Sequence, residues 1–395
     1  MMGLGYIGLP TAALIASKGL NVTGVDISQH VVDTINQGKI HIVEPELDGL
    51  VHYVVKEGYL KAATKPIMAN VYLIAVPTPF KDNHVPDLSY VESAVKNIIP
   101  TLQKGALVIL ESTSPVGTTH KIQELIFKER PDLKGEIFIA YCPERVLPGN
   151  VIYELEQNDR AIGGIDDEST EKAVWFYKHF VKGELHKTNS QTAEMCKLVE
   201  NSSRDVQIAF ANELSMICDK ANINVWELIR LANKHPRVNI LQPGTGVGGH
   251  CIAVDPWFIV SEFPEESKII RSAREINNYK TEWAIEKVKN TALQFKIEHG
   301  RDAVIACMGL AFKPNIDDLR ESPALRVSQQ LDADGFNVLF VEPNLNSHDQ
   351  FKLTSLTEAK NICDIMVFLV AHKEFKGLNG EIQMQVLDFC GIINK

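Results

Sequence analysis

The chain has 395 residues, 45% of them hydrophobic and 23% charged, which is ordinary globular composition and, at roughly 100–200 residues per domain, fits two or three domains. Forty Lys and Arg against 50 Asp and Glu leave a net charge of −10, so nucleic acid and anionic lipid are excluded as main partners, and an anionic ligand has to be held by local cations or helix N-termini. The seven cysteines are scattered with no CxxC pair, and no apolar run reaches the 18 residues of a membrane span or the pattern of a signal peptide, so a cytoplasmic protein without disulfide framework or metal site is expected.

In chain order, β-branched runs alternate with helical periodicity as far as about Lys187. Strands are expected at Val22–Asp26, Val71–Val76, Ala106–Glu111, Ile137–Tyr141 and Arg160–Gly164, with helices such as Thr11–Lys18 and Leu88–Leu102 between them. This alternation reads as a doubly wound parallel sheet. Gln191 to Ala221 has apolar residues at helical spacing (Met195, Leu198, Val206, Phe210, Leu214, Ile217), no Gly or Pro, and Ser190 placed to cap it. Helices at Val225–Asn233 and Ser267–Ile297 follow, with a Gly-rich loop between them at Pro243–Gly249. Strands resume at Ala303–Met308, Asn337–Val341, Ile365–Val370 and Val386–Phe389. The reading is α/β, with a Rossmann-type domain over 1–189, a helical domain over 190–300 and a Rossmann-like α/β domain over 301–395, the two ends being structural analogues of each other.

Gly3-Leu4-Gly5-Tyr6-Ile7-Gly8 is a GxGxxG followed by a helix expected near Pro10, and Asp26 closes the next strand 23 residues after Gly3. The glycines allow a tight turn and close approach of a pyrophosphate; an acid at that distance bonds the ribose hydroxyls of NAD and repels the extra phosphate of NADP. Only Met1 and Met2 precede Gly3, whereas this fold places a central strand there. That strand is therefore expected to be missing, its neighbours left unpaired, and the natural start to lie several residues upstream.

Gly248-Gly249-His250-Cys251-Ile252-Ala253-Val254-Asp255-Pro256 puts a cysteine in a Gly-rich loop with an acid four residues on, which suits a nucleophile at the start of a helix. The six other cysteines sit in apolar patterns and read as small core residues. Lys197 and Asn201 stand at i, i+4 and so share a helix face, fit either for an oxyanion or simply for solvent. Glu144, in Cys142-Pro143-Glu144-Arg145 after a strand end, suits activation of water or pairing with Arg145. In the last part, Gly309-Leu310-Ala311-Phe312-Lys313-Pro314 and Asp317-Asp318-Leu319-Arg320-Glu321-Ser322-Pro323 combine two cations with a Ser-capped, Pro-started helix, an arrangement for a second phosphate-bearing molecule or for internal ion pairs.

These motifs in this order resemble the nucleotide-sugar 6-dehydrogenase family (UDP-glucose and GDP-mannose dehydrogenases and relatives) over essentially the whole chain. Ala140–Gly149 (AYCPERVLPG), Asn158–Gly164 (NDRAIGG) and Leu231–Gly249 resemble the branch acting on UDP-N-acetyl-D-mannosamine; UDP-glucose enzymes have SPEFLREG-like residues at Cys142–Gly149. The resemblance implies a C6 alcohol oxidised twice with two NAD+ and one water, through a thiohemiacetal and then a thioester on Cys251. It implies that Lys197 and Asn201 stabilise the developing oxyanion, that Asp255 positions a proton-relay water, that Glu144 assists hydrolysis and that Thr113 holds water near the reacting carbon. It adds Pro77, Thr78, Ser112 and Thr113 to Gly3, Gly5, Tyr6, Ile7, Gly8 and Asp26 as cofactor contacts. Arg145, Val146, Lys197, Asn201, Arg204, Arg237, Asn239, Gly248, Gly249, Phe312, Lys313 and Arg320 are the implied contacts to the UDP-sugar, and the long helix from about Gln191 is the implied homodimer core. Pro148 stands where UDP-glucose enzymes have a second glutamate, and Thr245 replaces a common proline. The same chemistry on UDP-GlcNAc, UDP-GalNAc or UDP-glucose stays open, as do a two-electron dehydrogenase and a catalytically inactive NAD-binding protein.

Overall fold

The structure is a computed structural model of the full chain and describes every residue except 43, 82–83, 147–148, 250, 379–383 and 394–395; Pro148 thus lies outside the described residues. The chain forms two compact units, Met1–Glu200 and Asn201–Lys395.

In chain order the first unit contains α1 (Gly8–Ser17), β1 (Val22–Val25), α2 (Gln29–Asn36), α3 (Leu47–Lys56), β2 (Leu60–Ala63), β3 (Val71–Ile74), α4 (Ser89–Ile98), β4 (Leu107–Leu110), α5 (Thr118–Glu129), β5 (Phe138–Tyr141), α6 (Val151–Gln157), β6 (Arg160–Gly164), α7 (Asp167–Tyr177) and β7 (Leu185–Asn189). The strands lie in the orders β1-β2 and β3-β4-β5-β6-β7, all neighbours parallel except β5 with β6. The sheet is therefore mixed rather than wholly parallel. β2 and β7 were not expected from the sequence: Leu60-Lys61-Ala62-Ala63 is too weak in β-branched residues, and β7 (Leu185-His186-Lys187-Thr188-Asn189) is a polar strand at the sheet edge.

Met2 forms parallel bridges to both Val25 and Ile74. Its N–H donates to the Leu73 carbonyl and its carbonyl accepts from Ala75 N–H, while Val25 N–H bonds the Met1 carbonyl and Gly3 N–H bonds the Val25 carbonyl, all within 2.7–2.8 Å. The expectation of unpaired neighbours is thereby corrected at the carboxyl ends of β1 and β3, where the Gly-rich turn begins. Further back, a cavity of about 670 Å³ lies between Val22–Val25 and Val71–Leu73.

The sheet carries a core on each face. One is built by Leu9, Leu47, Val51, Ile109, Ile162 and Tyr177 from α1, α3, β4, β6 and α7; the other by Ile74, Val91, Val95, Val108, Ile122 and Ile139. Apolar strands flanked by helices on both sides bury both faces, which is why β4 (Leu107-Val108-Ile109-Leu110) is buried at every position. α1 begins at Gly8 rather than Pro10.

α8 (Ser190–Ala221) runs across the division between the units. Asn189, not Ser190, caps it, its side chain accepting from Thr192 N–H at 2.8 Å. The second unit continues with α9 (Val225–Ala232), α10 (Asp255–Glu262), α11 (Lys268–His299), β8 (Val304–Met308), α12 (Pro323–Ala333), β9 (Asn337–Val341), α13 (Leu356–Ile362), β10 (Ile365–Phe368) and β11 (Gln385–Asp388). Its sheet has the order β11-β10-β8-β9 with parallel neighbours, again between two cores. As read from the sequence, α12 starts with Pro323 and its cap Ser322 accepts from Leu325 N–H. The architecture is thus α/β, helical, α/β. Among the described residues no helix is long and apolar enough to cross a membrane.

Candidate active site

In the first unit the Gly3–Gly8 turn has the shape a pyrophosphate needs. Gly3 adopts φ +86°, and a Cβ there would meet the Ala75 carbonyl oxygen at 2.4 Å; at Gly8 it would lie 1.9 Å from the Gly3 carbonyl oxygen. Gly5 has open space around it and Tyr6 is exposed, so the turn presents bare backbone ahead of the N-terminus of α1. Asp26 directly follows β1, with Oδ2 accepting Leu4 N–H at 3.1 Å and Oδ1 accepting Ser28 N–H at 2.9 Å. A carboxylate fixed beside a glycine turn fits the ribose of NAD, so the residues present suit that cofactor. Ser112, after β4, locks the neighbouring strand end: its hydroxyl accepts from Val76 N–H at 2.9 Å and donates to the Val76 carbonyl at 2.7 Å, just before Pro77 and Thr78.

Thr113, next to Ser112, is half-buried, and the turn that follows it is held from α8. Glu194, fully buried, accepts from Gly117 N–H at 2.6 Å and from Thr119 N–H and Oγ1 at 2.7 and 2.6 Å, closing the N-terminus of α5 and fixing the 112–118 segment. Burial raises the Glu194 carboxyl above its ordinary range, opposed by these bonds. Nothing in the sequence pattern points to this role, since the partners are 75–77 residues apart.

Glu144 is 8% exposed and does not pair with the Arg145 side chain. One oxygen accepts Arg145 backbone N–H at 2.6 Å and the other accepts from the Arg160 guanidinium at 3.3 Å. The Arg145 guanidinium instead bonds Glu200 at 2.6 Å and the Asp159 carbonyl. Val146 beside it is half-buried, and Glu44 holds the next turn by accepting from Gly149 and Val151 N–H at 3.0 and 2.9 Å.

On α8, Lys197 is half-buried and stands one helical turn from Asn201. In the second unit the Asn201 amide donates to Asp255 Oδ2 at 2.5 Å, and Asp255 is 3% exposed. Asp255 itself opens α10, whereas Cys251 lies four residues ahead in a turn, its carbonyl accepting from Val254 and Asp255 N–H. The expectation that the thiol begins the helix is corrected by that offset. Of the seven cysteines only Cys251 is exposed. Burial pushes Cys142 up to about 11 and Cys307 up to about 12, which keeps both as thiols and leaves them as core residues.

The loop carrying Cys251 packs on the 310–323 segment. A Cβ on Gly248 would meet the Glu321 carbonyl oxygen at 2.3 Å and one on Gly249 (φ +84°) the Phe312 ring at 2.9 Å, while Gly249 N–H donates to the Arg320 carbonyl. From the other side Asn212 accepts Gly244 N–H at 2.9 Å and Thr281 donates to the Thr245 carbonyl at 2.9 Å. Behind Asn212, Asn277 joins it at 2.8 Å and reaches Asp205, which the buried Arg274 bonds at 2.7 Å. This buried polar network was not legible in the sequence. Lys313 is exposed, and the Arg320 guanidinium lies on Asp318 at 2.6 Å, so the internal ion pair foreseen for this segment is present. Arg204, Arg237 and Asn239 are exposed.

The two α/β ends repeat one device. Met308-Gly309-Leu310-Ala311-Phe312 follows β8 as Met2-Gly3-Leu4-Gly5-Tyr6 precedes α1, with Gly309 at φ +89°. Glu342 directly after β9 accepts Leu310 and Ala311 N–H at 2.7 and 3.0 Å, as Asp26 accepts Leu4 N–H. Burial opposes ionisation of Glu342, yet the His372 ring at 3.0 Å and these N–H groups hold it down at about 2.

Comparison with known proteins accords with this geometry: residues 1–181 match the NAD binding domain of the UDP-glucose/GDP-mannose dehydrogenase family, 191–279 its central domain and 306–393 its UDP binding domain. The chain belongs to that family. It is therefore an NAD-dependent oxidoreductase with a UDP binding domain. UDP-N-acetyl-D-mannosamine dehydrogenase of Escherichia coli (strain K12) is 55% identical over 412 residues, covering 99% of this chain and 98% of that protein. NDP-N-acetyl-D-galactosaminuronic acid dehydrogenase of Ralstonia nicotianae is 54% identical over 392 residues, 96% of this chain and 92% of that protein. Among solved structures, UDP-D-ManNAc dehydrogenase from Pyrococcus horikoshii superposes with a TM-score of 0.87 at 39% identity, covering 100% of this chain and 95% of that one.

Proposed function

We propose that this dehydrogenase oxidises C6 of UDP-N-acetyl-D-mannosamine from the alcohol to the carboxylate, with Cys251 carrying the half-oxidised sugar. One observation carries the reading: of seven thiols, the one in the Gly-rich loop is the one that is exposed, and that loop is packed onto the Phe312–Arg320 segment. NAD+, held by Gly3–Gly8, Asp26, Pro77, Thr78 and Ser112, supplies hydride acceptance for each oxidation. Cys251 Sγ adds to the aldehyde carbon as a thiohemiacetal; loss of the second hydride leaves a thioester, and water releases the acid. Lys197 and Asn201 donate to the oxygen that becomes negative, and Asp255, bonded to Asn201 at 2.5 Å, fixes the amide and takes the relay proton through water. Glu144 accepts the proton of the hydrolytic water, Thr113 orders water at C6, and Arg145, Val146, Arg204, Arg237, Asn239, Gly248, Gly249, Phe312, Lys313 and Arg320 bind the nucleotide sugar.

The experiment counts NADH formed per sugar consumed, with UDP-ManNAc, UDP-GlcNAc, UDP-GalNAc and UDP-glucose in parallel. Two NADH per UDP-ManNAc, with Cys251→Ser unable to form the acid, is the expected result; a ratio of one, or full acid formation by Cys251→Ser, refutes the covalent scheme. A higher kcat/KM for UDP-GalNAc reassigns the substrate, a preference that differences of ~1–3 kcal/mol in the sugar pocket decide.

The domain limits that go with this reading are 1–189 for NAD, 190–300 for the helical core and 301–395 for the UDP-sugar. The working form is a homodimer through α8, supported by Val199, Phe210 and Ile217, which leave 43–56% of their apolar surface exposed along that helix. Phe210→Asp is expected to give a monomer by light scattering. A cytoplasmic location agrees with seven cysteines scattered along the chain with no CxxC pair.

A further inference from the structure

We infer that Arg160 is the positioning residue for Glu144, holding its carboxylate aimed for thioester hydrolysis. The inference rests on the role given to Glu144 above. Arg160, the first residue of β6, is 3% exposed. Its fork bonds Glu144 Oε2 at 3.3 Å and the Leu155 carbonyl of α6 at 3.1 Å, and its face lies over the Tyr177 ring at 5.3 Å. The other Glu144 oxygen takes Arg145 N–H, so the carboxylate is clamped from both sides, one clamp neutral and one charged. The remaining nearby cation, Arg145, has its guanidinium on Glu200 and the Asp159 carbonyl.

A buried ion pair seldom adds net stability over apolar packing, so this one calls for another reason. The groups behind it supply one. Glu111 faces Arg160 from β4's end, bonds Tyr177 hydroxyl at 2.6 Å and leaves its other oxygen buried without a partner. Burial pushes Glu111 up to about 7 and Cys142 up to about 11. Of the carboxylates around it, Glu144 is the one that the Arg160 guanidinium bonds directly, at 3.3 Å. A general base with ordinary exposure would lose that orientation to solvent.

In the step concerned, the water oxygen bonds to the thioester carbonyl carbon while Glu144 takes one water proton. The carbon–sulfur bond then breaks, its electron pair going to Sγ. The Glu144 proton passes to the thiolate, and the carboxylic acid formed ionises to solvent.

The test is pre-steady-state oxidation of excess UDP-ManNAc by wild type, Arg160→Gln, Arg160→Lys, Glu144→Gln and the Arg160→Gln/Glu144→Gln double variant, following NADH and the intact mass of acid-quenched enzyme. Expected for Arg160→Gln is a burst of two NADH per site, then turnover slowed by roughly 10²-fold, with the acyl group accumulating on Cys251. Arg160→Lys, which keeps the charge but not the fork, accumulates less, and the double variant is no slower than Glu144→Gln alone. A merely structural role slows hydride transfer as well and leaves no acyl-enzyme; that outcome, or additive losses in the double variant, overturns the inference. Where Arg160→Gln does not fold, Arg160→Lys decides: acyl-enzyme supports positioning, wild-type release refutes it. If wild type yields one NADH per sugar, or no variant including Glu144→Gln traps a thioester, the functional reading itself fails.

Discussion

Gly248→Ala probes whether the Cys251 loop must lie against the 310–323 segment. Its added methyl would sit 2.3 Å from the Glu321 carbonyl oxygen, 2.8 Å from Pro323 Cδ and 2.9 Å from Phe312 Cβ. Ordinary contact begins near 3.4 Å, so the loop has to retreat by about 1 Å. Overpacking of this kind destabilises by about 1–3 kcal/mol, and a displacement of 1 Å at a reacting group lowers rate by roughly 10²-fold, or about 2.7 kcal/mol in barrier. Gly244→Ala in the same loop is the matched control: the nearest atom to its Cβ is 3.9 Å away, and its N–H bond to Asn212 is kept. The assay compares kcat, KM for UDP-ManNAc and NAD+ binding for both variants. Gly248→Ala should lose about 10²-fold in kcat with NAD+ affinity unchanged, while Gly244→Ala stays within about twofold. Equal kcat for the two variants would refute the reasoning.

Glu342 sits at about 2 in the folded protein against an ordinary 4.5, so its ionised form stabilises by roughly 3 kcal/mol above pH 4.5, a contribution lost as pH falls toward 2. Urea unfolding of wild type and Glu342→Gln should therefore differ most above pH 4.5 and converge near pH 2; a constant difference contradicts the assignment. Glu111 has the opposite sign: with its carboxyl raised to about 7 by burial, the stability of the protonated form fades from pH 4.5 upward and is gone above 7. Glu111→Gln should gain on wild type at pH 8 relative to pH 4 in thermal melts. Arg274→Ala strands Asp205 in the core and should destabilise by about 3–5 kcal/mol in urea, whereas Arg271→Ala, on an exposed bond to the Pro264 carbonyl, should change little.

Chemistry written in consecutive residues was legible without coordinates. The Gly3–Gly8 turn, Asp26 at the end of β1, Ser322-Pro323 at the start of α12 and the i, i+4 pair of Lys197 and Asn201 follow from local rules of turn, cap and helical spacing. The same locality explains strand placements: β6 and β9, each in its own sheet, span the runs that the sequence reads as strands. Pairings between distant segments obey no such rule. That Arg160 rather than Arg145 answers Glu144, that Glu194 closes α5, and that Arg274 reaches Asp205 69 residues away depend on which strand ends and helix faces the topology places side by side. Burial is of the same kind. Seven cysteines look alike in composition, and it is packing that seals Cys142 and Cys307 as neutral thiols and leaves Cys251 open. Sequence alone determined where the proposed reactive groups stand along the chain, because reactive types and turn-forming glycines are encoded in place; the fold decided their burial and hydrogen-bond partners, because both arise from long-range contacts that exist only once the chain is folded.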